Sequence, residues 1–192
     1  MSFDMVASHV RLTEDGGGGK INKPWFRLME KLTKLLGALQ VKRVTPDFSI
    51  TTNTTLGPVT SSDGSGVAFD IAVNEEWIAT FTLDVGAGLS TTGIKIAIVS
   101  PAGSTLNAIV GITPDTVTAT DTLSGRTTTS GSAIVFTAAS LGGVSNALVI
   151  VNVWVQNATT PGSVLFEFAQ NTSSATPLII RAGSQMVANR LQ

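Results

Sequence analysis

The sequence predicts a mainly β protein, a jelly-roll-like antiparallel β-sandwich preceded by an N-terminal arm with one short amphipathic helix. Three observations carry that reading. Apolar and polar residues alternate from Val67 to Val73 and again from Trp77 to Val85, the period of two expected of a strand with one buried face. Short runs of this kind, about ten in all, are separated by Gly, Pro, Asn and Asp clusters, the pattern of a sandwich. The first 47 residues depart from it: they hold eight of the twelve basic residues and five of the thirteen acidic ones, giving +3 locally against −4 for the remainder. Such an asymmetry marks two functional parts.

Residues 1–47 read as an attachment arm. The glycine run Gly16 to Gly19 reads as a flexible joint. Lys20 follows the glycines, but Glu14 stands where a phosphate loop needs its first glycine and Ile21 where it needs Ser or Thr. A helix is expected over about 23–39. Asn22 can cap it, Pro24 suits the first turn and Gly37 can end it. Trp25, Met29, Leu32, Leu36 and Leu39 fall at alternating spacings of four and three, the seam of a helix that meets another surface. Leu28 and Leu35 widen that face, while Arg27, Glu30, Lys31 and Lys34 cover the opposite one. Two heptads are too few to be stable alone. The segment therefore docks on its own sandwich or meets a copy or a partner. In the second case Trp25, Phe26, Met29, Leu32 and Leu36 are the expected anchor residues.

Val41 to Thr45 and Phe48 to Thr52 look extended, and residues 48–66 read as a linker rich in Thr, Ser, Gly and Asn, with a turn at Asp63 and Gly64. The sandwich is expected over 67–192, with Trp77 and Phe81 in its core. Asn74, Glu75 and Glu76 are few enough to join its first two runs as antiparallel neighbours. Further strands are expected at Ile94 to Ile98, Leu106 to Ile112, Ala133 to Ala138, Ala147 to Val155, Ser163 to Ala169, Leu178 to Arg181 and Gln185 to Leu191, with short ones possible at the ends of the polar segment Thr113 to Gly131. The run Ala147 to Val155 is apolar on both faces, as in a strand covered from both sides. Val151, Val153 and Trp154 are accordingly the expected subunit contact.

Composition narrows the function. Only 13% of residues are charged, about half the usual share of roughly 25%, so part of the surface is expected to be buried against other chains. A net charge of −1 and dispersed Lys95, Arg126, Arg181 and Arg190 give no footprint for nucleic acid. No run approaches the ~18 apolar residues of a membrane-spanning helix. Met1 to Arg11 carries Asp4 and His9 where a signal peptide is apolar, so synthesis in the cytoplasm is expected. The chain has one histidine, His9, and no cysteine or tyrosine, which leaves serine nucleophiles without their usual base and excludes disulfides and thiolate metal sites. Glu75 and Glu76 are neighbours in a hairpin turn, where solvation or a salt bridge to another subunit is expected rather than the two facing carboxylates of a glycosidase. Asp115 and Asp121 share a polar loop and could bind calcium together with backbone carbonyls, but their spacing matches no EF-hand loop. No enzyme, cofactor or metal site is expected.

The segment Asn22 to Leu32, reading Asn-Lys-Pro-Trp-Phe-Arg-Leu-Met-Glu-Lys-Leu, resembles the N-terminal segment that fibre-like proteins of tailed bacteriophages carry ahead of their first folded domain. The body is similar to the small trimeric β-sandwich domains of phage fibres and head decorations. The matching marks are Phe69 to Val73, Glu76-Trp77, Gly93-Ile94-Lys95, Pro101-Ala102-Gly103, Phe168 to Thr172 and Ala182-Gly183-Ser184. The resemblance implies a non-enzymatic structural component of a virion. It would be a homotrimeric fibre, spike or decoration protein held by its arm to capsid or tail proteins and projecting its sandwich. The chain stops at Gln192 without the repeats or distinct tip of a receptor-binding fibre. The alternative is a carbohydrate- or receptor-binding adhesion module for a host cell-surface glycan, using Thr113 to Gly131 and Ser140 to Asn146. Those loops contain no aromatic residue on which a sugar could stack.

Overall fold

The computed structural model describes residues 27–28, 38–60, 66–115 and 123–191. The chain divides into two compact units, Met1–Gly37 and Ala38–Gln192. Trp25, Phe26, Met29, Leu32 and Leu36 lie outside the described residues. Arg27 and Leu28 are helical and exposed. The expected helix does not reach residue 39, because Leu39 already opens a strand.

Among the described residues thirteen strands form two antiparallel sheets, which is the expected sandwich. In chain order they are β1 (Leu39–Arg43), β2 (Phe48–Ile50), β3 (Gly57–Pro58), β4 (Ala68–Ile71), β5 (Glu76–Gly86), β6 (Ile94–Val99), β7 (Thr105–Pro114), β8 (Leu123–Thr127), β9 (Ile134–Phe136), β10 (Ala147–Gln156), β11 (Gly162–Gln170), β12 (Leu178–Ile180) and β13 (Gln185–Arg190). A four-residue helix, α1 (Leu89–Thr92), precedes β6. The large sheet runs β1-β13-β5-β10-β7-β8, with β12 on β5 and β2 on β12; the small one runs β3-β11-β6-β9, with β4 on β11.

The pairings nest. β1 pairs with β13, β2 with β12, β3 and β4 with β11, β5 with β10, β6 with β9 and β7 with β8. The first half of the chain thus runs back along the second as one long ribbon that turns between β7 and β8 and folds over into two layers. That is the jelly-roll connection.

Two boundaries differ from expectation. Described residues ahead of Val67 already belong to the sheets: β1 and β2 pair with the last two strands and β3 with β11. The Asn74 to Glu76 connection does not make a hairpin, since β4 lies in the small sheet and β5 in the large one. Asn74, at φ 60, turns the chain across the layers and donates its N–H to the Ala158 carbonyl at 3.1 Å.

Inward-facing residues fill the space between the sheets. Trp77, Phe81, Leu83 and Val85 of β5 and Val149, Val151, Val153 and Val155 of β10 meet Phe69, Ile96, Ile98, Val164 and Phe166. Aromatic pairs link the layers, with ring centroids 5.6 Å apart for Phe69 and Trp77 and 5.4 Å for Phe81 and Phe166.

Candidate interaction face

The cross-layer turn is locked by one carboxylate. Glu75 Oε2 accepts from the Ala72 N–H and from Trp77 Nε1, both at 2.9 Å, and Oε1 accepts from Arg190 Nη1 at 2.7 Å. Arg190 sits on β13 beside Trp77, so the last strand and the β4–β5 turn share this carboxylate. Burial alone would push the Glu75 carboxyl up. The three hydrogen bonds and the Arg190 charge outweigh burial and hold it below the ordinary glutamate range. A carboxyl depressed in the folded state binds protons more readily once unfolded, so its stabilisation is complete above the unfolded glutamate pKa of roughly 4.3 and is lost as pH falls through the lower folded value. We expect Glu75→Gln to cost about 1–3 kcal/mol at neutral pH. The gap between variant and wild type, read from urea midpoints, narrows as pH falls through that window.

Other described carboxylates are also engaged. Asp84 pairs with Arg181 at 3.3 Å, Asp115 accepts from Asn146 Nδ2 at 2.8 Å, and Asp70 accepts from Ser163 Oγ at 2.6 Å. In the loop Ser140 to Asn146, Leu141 and Val144 are buried and pin it to the core.

The long strands β5, β10 and β7 turn their second face outward. Along it lie Ile78, Thr80 and Thr82, then Leu148, Ile150, Asn152 and Trp154, then Asn107, Ile109 and Gly111. Register aligns them in rows. Leu39, Asn189, Ile78, Trp154 and Asn107 form one row, and Val41, Val187, Thr80, Asn152, Ile109 and Arg126 the next. Leu39, Val41, Ile78, Ile109 and Leu148 each expose 42–48% of their surface.

Polar groups among them are paired within the face. Thr80 Oγ1 donates to Asn152 Oδ1 at 3.0 Å, Trp154 Nε1 to Glu76 Oε1 at 2.6 Å, and Arg126 Nε to Asn107 Oδ1 at 2.9 Å. Covering the face would therefore strand few donors or acceptors, which is the usual penalty for burying a polar surface. The outward side of the small sheet differs, carrying Lys95, Glu167 and Asp70.

Of the three residues expected at a subunit contact, Val151 and Val153 point inward and are buried by this chain alone. Trp154 faces out and is partly exposed. The correction follows from alternation: β10 is apolar on both sides, but one side is core. Ile78 and Ile109 were legible as the out-of-phase members of their strands; only the pairing shows that they flank Trp154 and Asn152.

No family model matches the chain, and no curated protein matches it. Among solved structures, "Structure of infectious bursal disease virus Gx strain" matches with a TM-score of 0.22 and 12% identity over 79% of this chain and 39% of that one. "Crystal structure of infectious bursal disease virus VP2 subviral particle" matches with a TM-score of 0.20 and 8% identity over 80% of this chain and 41% of that one. This chain thus spans about two fifths of the length of each. At such scores no residue, role or assembly is carried across.

Proposed function

We propose that this chain is a non-enzymatic structural protein of a virion, a fibre, spike or decoration component made in the host cytoplasm. Copies assemble through their sandwiches, as a trimer, and the N-terminal arm attaches them to capsid or tail proteins. The observation that carries the reading is the outward face of β5, β10 and β7, where the exposed Ile78, Ile109 and Leu148 surround an internally hydrogen-bonded Thr80–Asn152 pair and the charges lie at the margins.

Its size suits the role. Strands about 4.8 Å apart that rise about 3.3 Å per residue give this six-strand face roughly 700 Å² of flat area, close to the about 800 Å² per partner of a standard interface. Apolar residues without unpaired polar groups at the middle of a contact and charges at its rim are also how such interfaces are built. The sequence resemblance to phage fibre and decoration proteins supplies the setting, with Trp25, Phe26, Met29, Leu32 and Leu36 as the proposed anchors. Several weak anchors on one rigid oligomer hold far more tightly than one.

The test is the solution mass of the full chain beside that of the double variant Ile78→Lys with Ile109→Lys. Both positions are exposed, so the variant keeps its fold while placing two desolvated charges in the contact. Its mass is expected to fall below that of the wild type, because the contact through this face is lost.

A further inference from the structure

Sheet edges offer unpaired N–H and C=O groups to any passing strand, and folded proteins blunt them. Most described edges here are blunted. The Gln40 side chain spans the layers and takes both polar groups of Asp70 on β4: its Nε2 donates to the Asp70 carbonyl at 2.9 Å and its Oε1 accepts from the Asp70 N–H at 3.0 Å. β3 has two residues, one of them Pro58, while β2 and β9 have three each. β8 is as long as β1 and ends the large sheet on its other side, but it carries no exposed large apolar residue, and Gly125 packs against the Ile134 side chain of the other layer.

β1 is the exception. It is five residues long and ends the large sheet. The Arg190 N–H donates to the Ala38 carbonyl and the Val44 N–H to the Ser184 carbonyl, both at 2.8 Å, so the even-numbered residues of β1 bond to β13. Leu39, Val41 and Arg43 therefore aim their backbone groups at the open edge, and no described strand takes them. Leu39 and Val41 also expose 48% and 47% of their surface, in rows continuous with Val187 and Ile78.

We infer that this edge pairs with β1 of a second copy, antiparallel about a two-fold axis at Val41. Charge selects that register. Val41 faces the partner's Val41, Arg43 faces the partner's Leu39, and Lys42 faces the partner's Gln40, so no like charges are opposed. A parallel pair would bring Lys42 and Arg43 near their own copies, a destabilising arrangement. The antiparallel pair makes two hydrogen bonds at each of three residue pairs and joins the two apolar faces into one surface across both copies. The inference rests on the homo-oligomeric part of the proposed function. It adds a two-fold contact that can join two monomers or two trimers.

The test uses the full chain. Val41→Pro removes the outward N–H from both copies, and proline is tolerated on an edge strand whose N–H faces solvent. Losing two hydrogen bonds weakens the pair by roughly 10- to 100-fold, so the wild type has an even number of subunits and the variant half that mass. Val41→Cys provides a second reading in a chain with no cysteine. Paired residues in this register have Cα atoms about 5.5 Å apart, within disulfide reach, so oxidation yields a covalent dimer, whereas Val135→Cys, exposed on β9, does not. Equal masses for wild type and Val41→Pro, with no more cross-linking at 41 than at 135, would overturn the two-fold pair and leave the homo-oligomer standing. A monomeric wild type overturns both, the edge then being free for a strand of another protein.

Discussion

Gly93→Ala is expected to remove about 3–5 kcal/mol of stability, a large part of the 5–15 kcal/mol that holds a domain of this kind together. Gly93 follows α1 with φ 63 and ψ −172, a conformation that is essentially glycine's alone. A side chain there costs about 1–3 kcal/mol in backbone strain. Space adds to this. A Cβ would meet the Phe136 carbonyl oxygen, the Ala138 nitrogen at 2.8 Å and the Thr137 carbonyl carbon at 2.9 Å. These are backbone atoms of the segment beside β6, which cannot swing aside, and such overpacking costs a further ~1–3 kcal/mol. Gly103→Ala separates the two effects, because Gly103 has φ 80 but nothing within 4 Å of its would-be Cβ. Urea midpoints should place the Gly103 variant near the strain cost alone and the Gly93 variant well below it. Equal costs would mean that β6 and the 136–138 segment are not packed together as described.

Trp77→Ala is expected to cost about 3–5 kcal/mol. The ring is 2% exposed, stands against Phe69 of the opposite sheet at 5.6 Å, and donates Nε1 to Glu75 at 2.9 Å. Its loss opens a cavity at the place where the chain crosses between layers. It also takes one donor from the carboxylate that ties β13 to the β4–β5 turn. Trp77→Phe keeps most of the ring's volume and loses the donor, so it should cost much less. If phenylalanine were as damaging as alanine, the Glu75 network rather than burial would dominate at this site.

Much of the fold was legible because alternation is strict wherever one face is core. β5 shows it best: Trp77, Phe81, Leu83 and Val85 are buried as expected, and β6, β7, β10, β11, β12 and β13 lie where the apolar runs place them. Alternation says which side a residue takes and nothing about which sheet it joins. Asn74 to Glu76 therefore looked like a hairpin, although Asn74 carries the chain to the other layer.

β1 was hidden for a different reason. Its exposed face mixes Leu39 and Val41 with Arg43, the opposite face carries Gln40 and Lys42, and beside a basic segment this read as arm. Its partner, β13, lies about 150 residues away in sequence, a separation that no local signal spans. The candidate face was half visible. Trp154 is visible in the sequence as the large ring opposite the valines, whereas Val151 and Val153, which apolarity alone places at a contact, are taken up by the core. The anchors Trp25, Phe26, Met29, Leu32 and Leu36 fall outside the described residues and belong to the proposed function.

The most direct test of the account is the solution mass of the full chain by light scattering, with Ile78→Lys and Ile109→Lys combined as the comparison. Copies that pack through the outward face of β5, β10 and β7 give an oligomeric wild type and a folded variant of lower mass, at most the pair that β1 can hold. A wild type that stays monomeric as concentration rises, or a variant that keeps the wild-type mass, contradicts it.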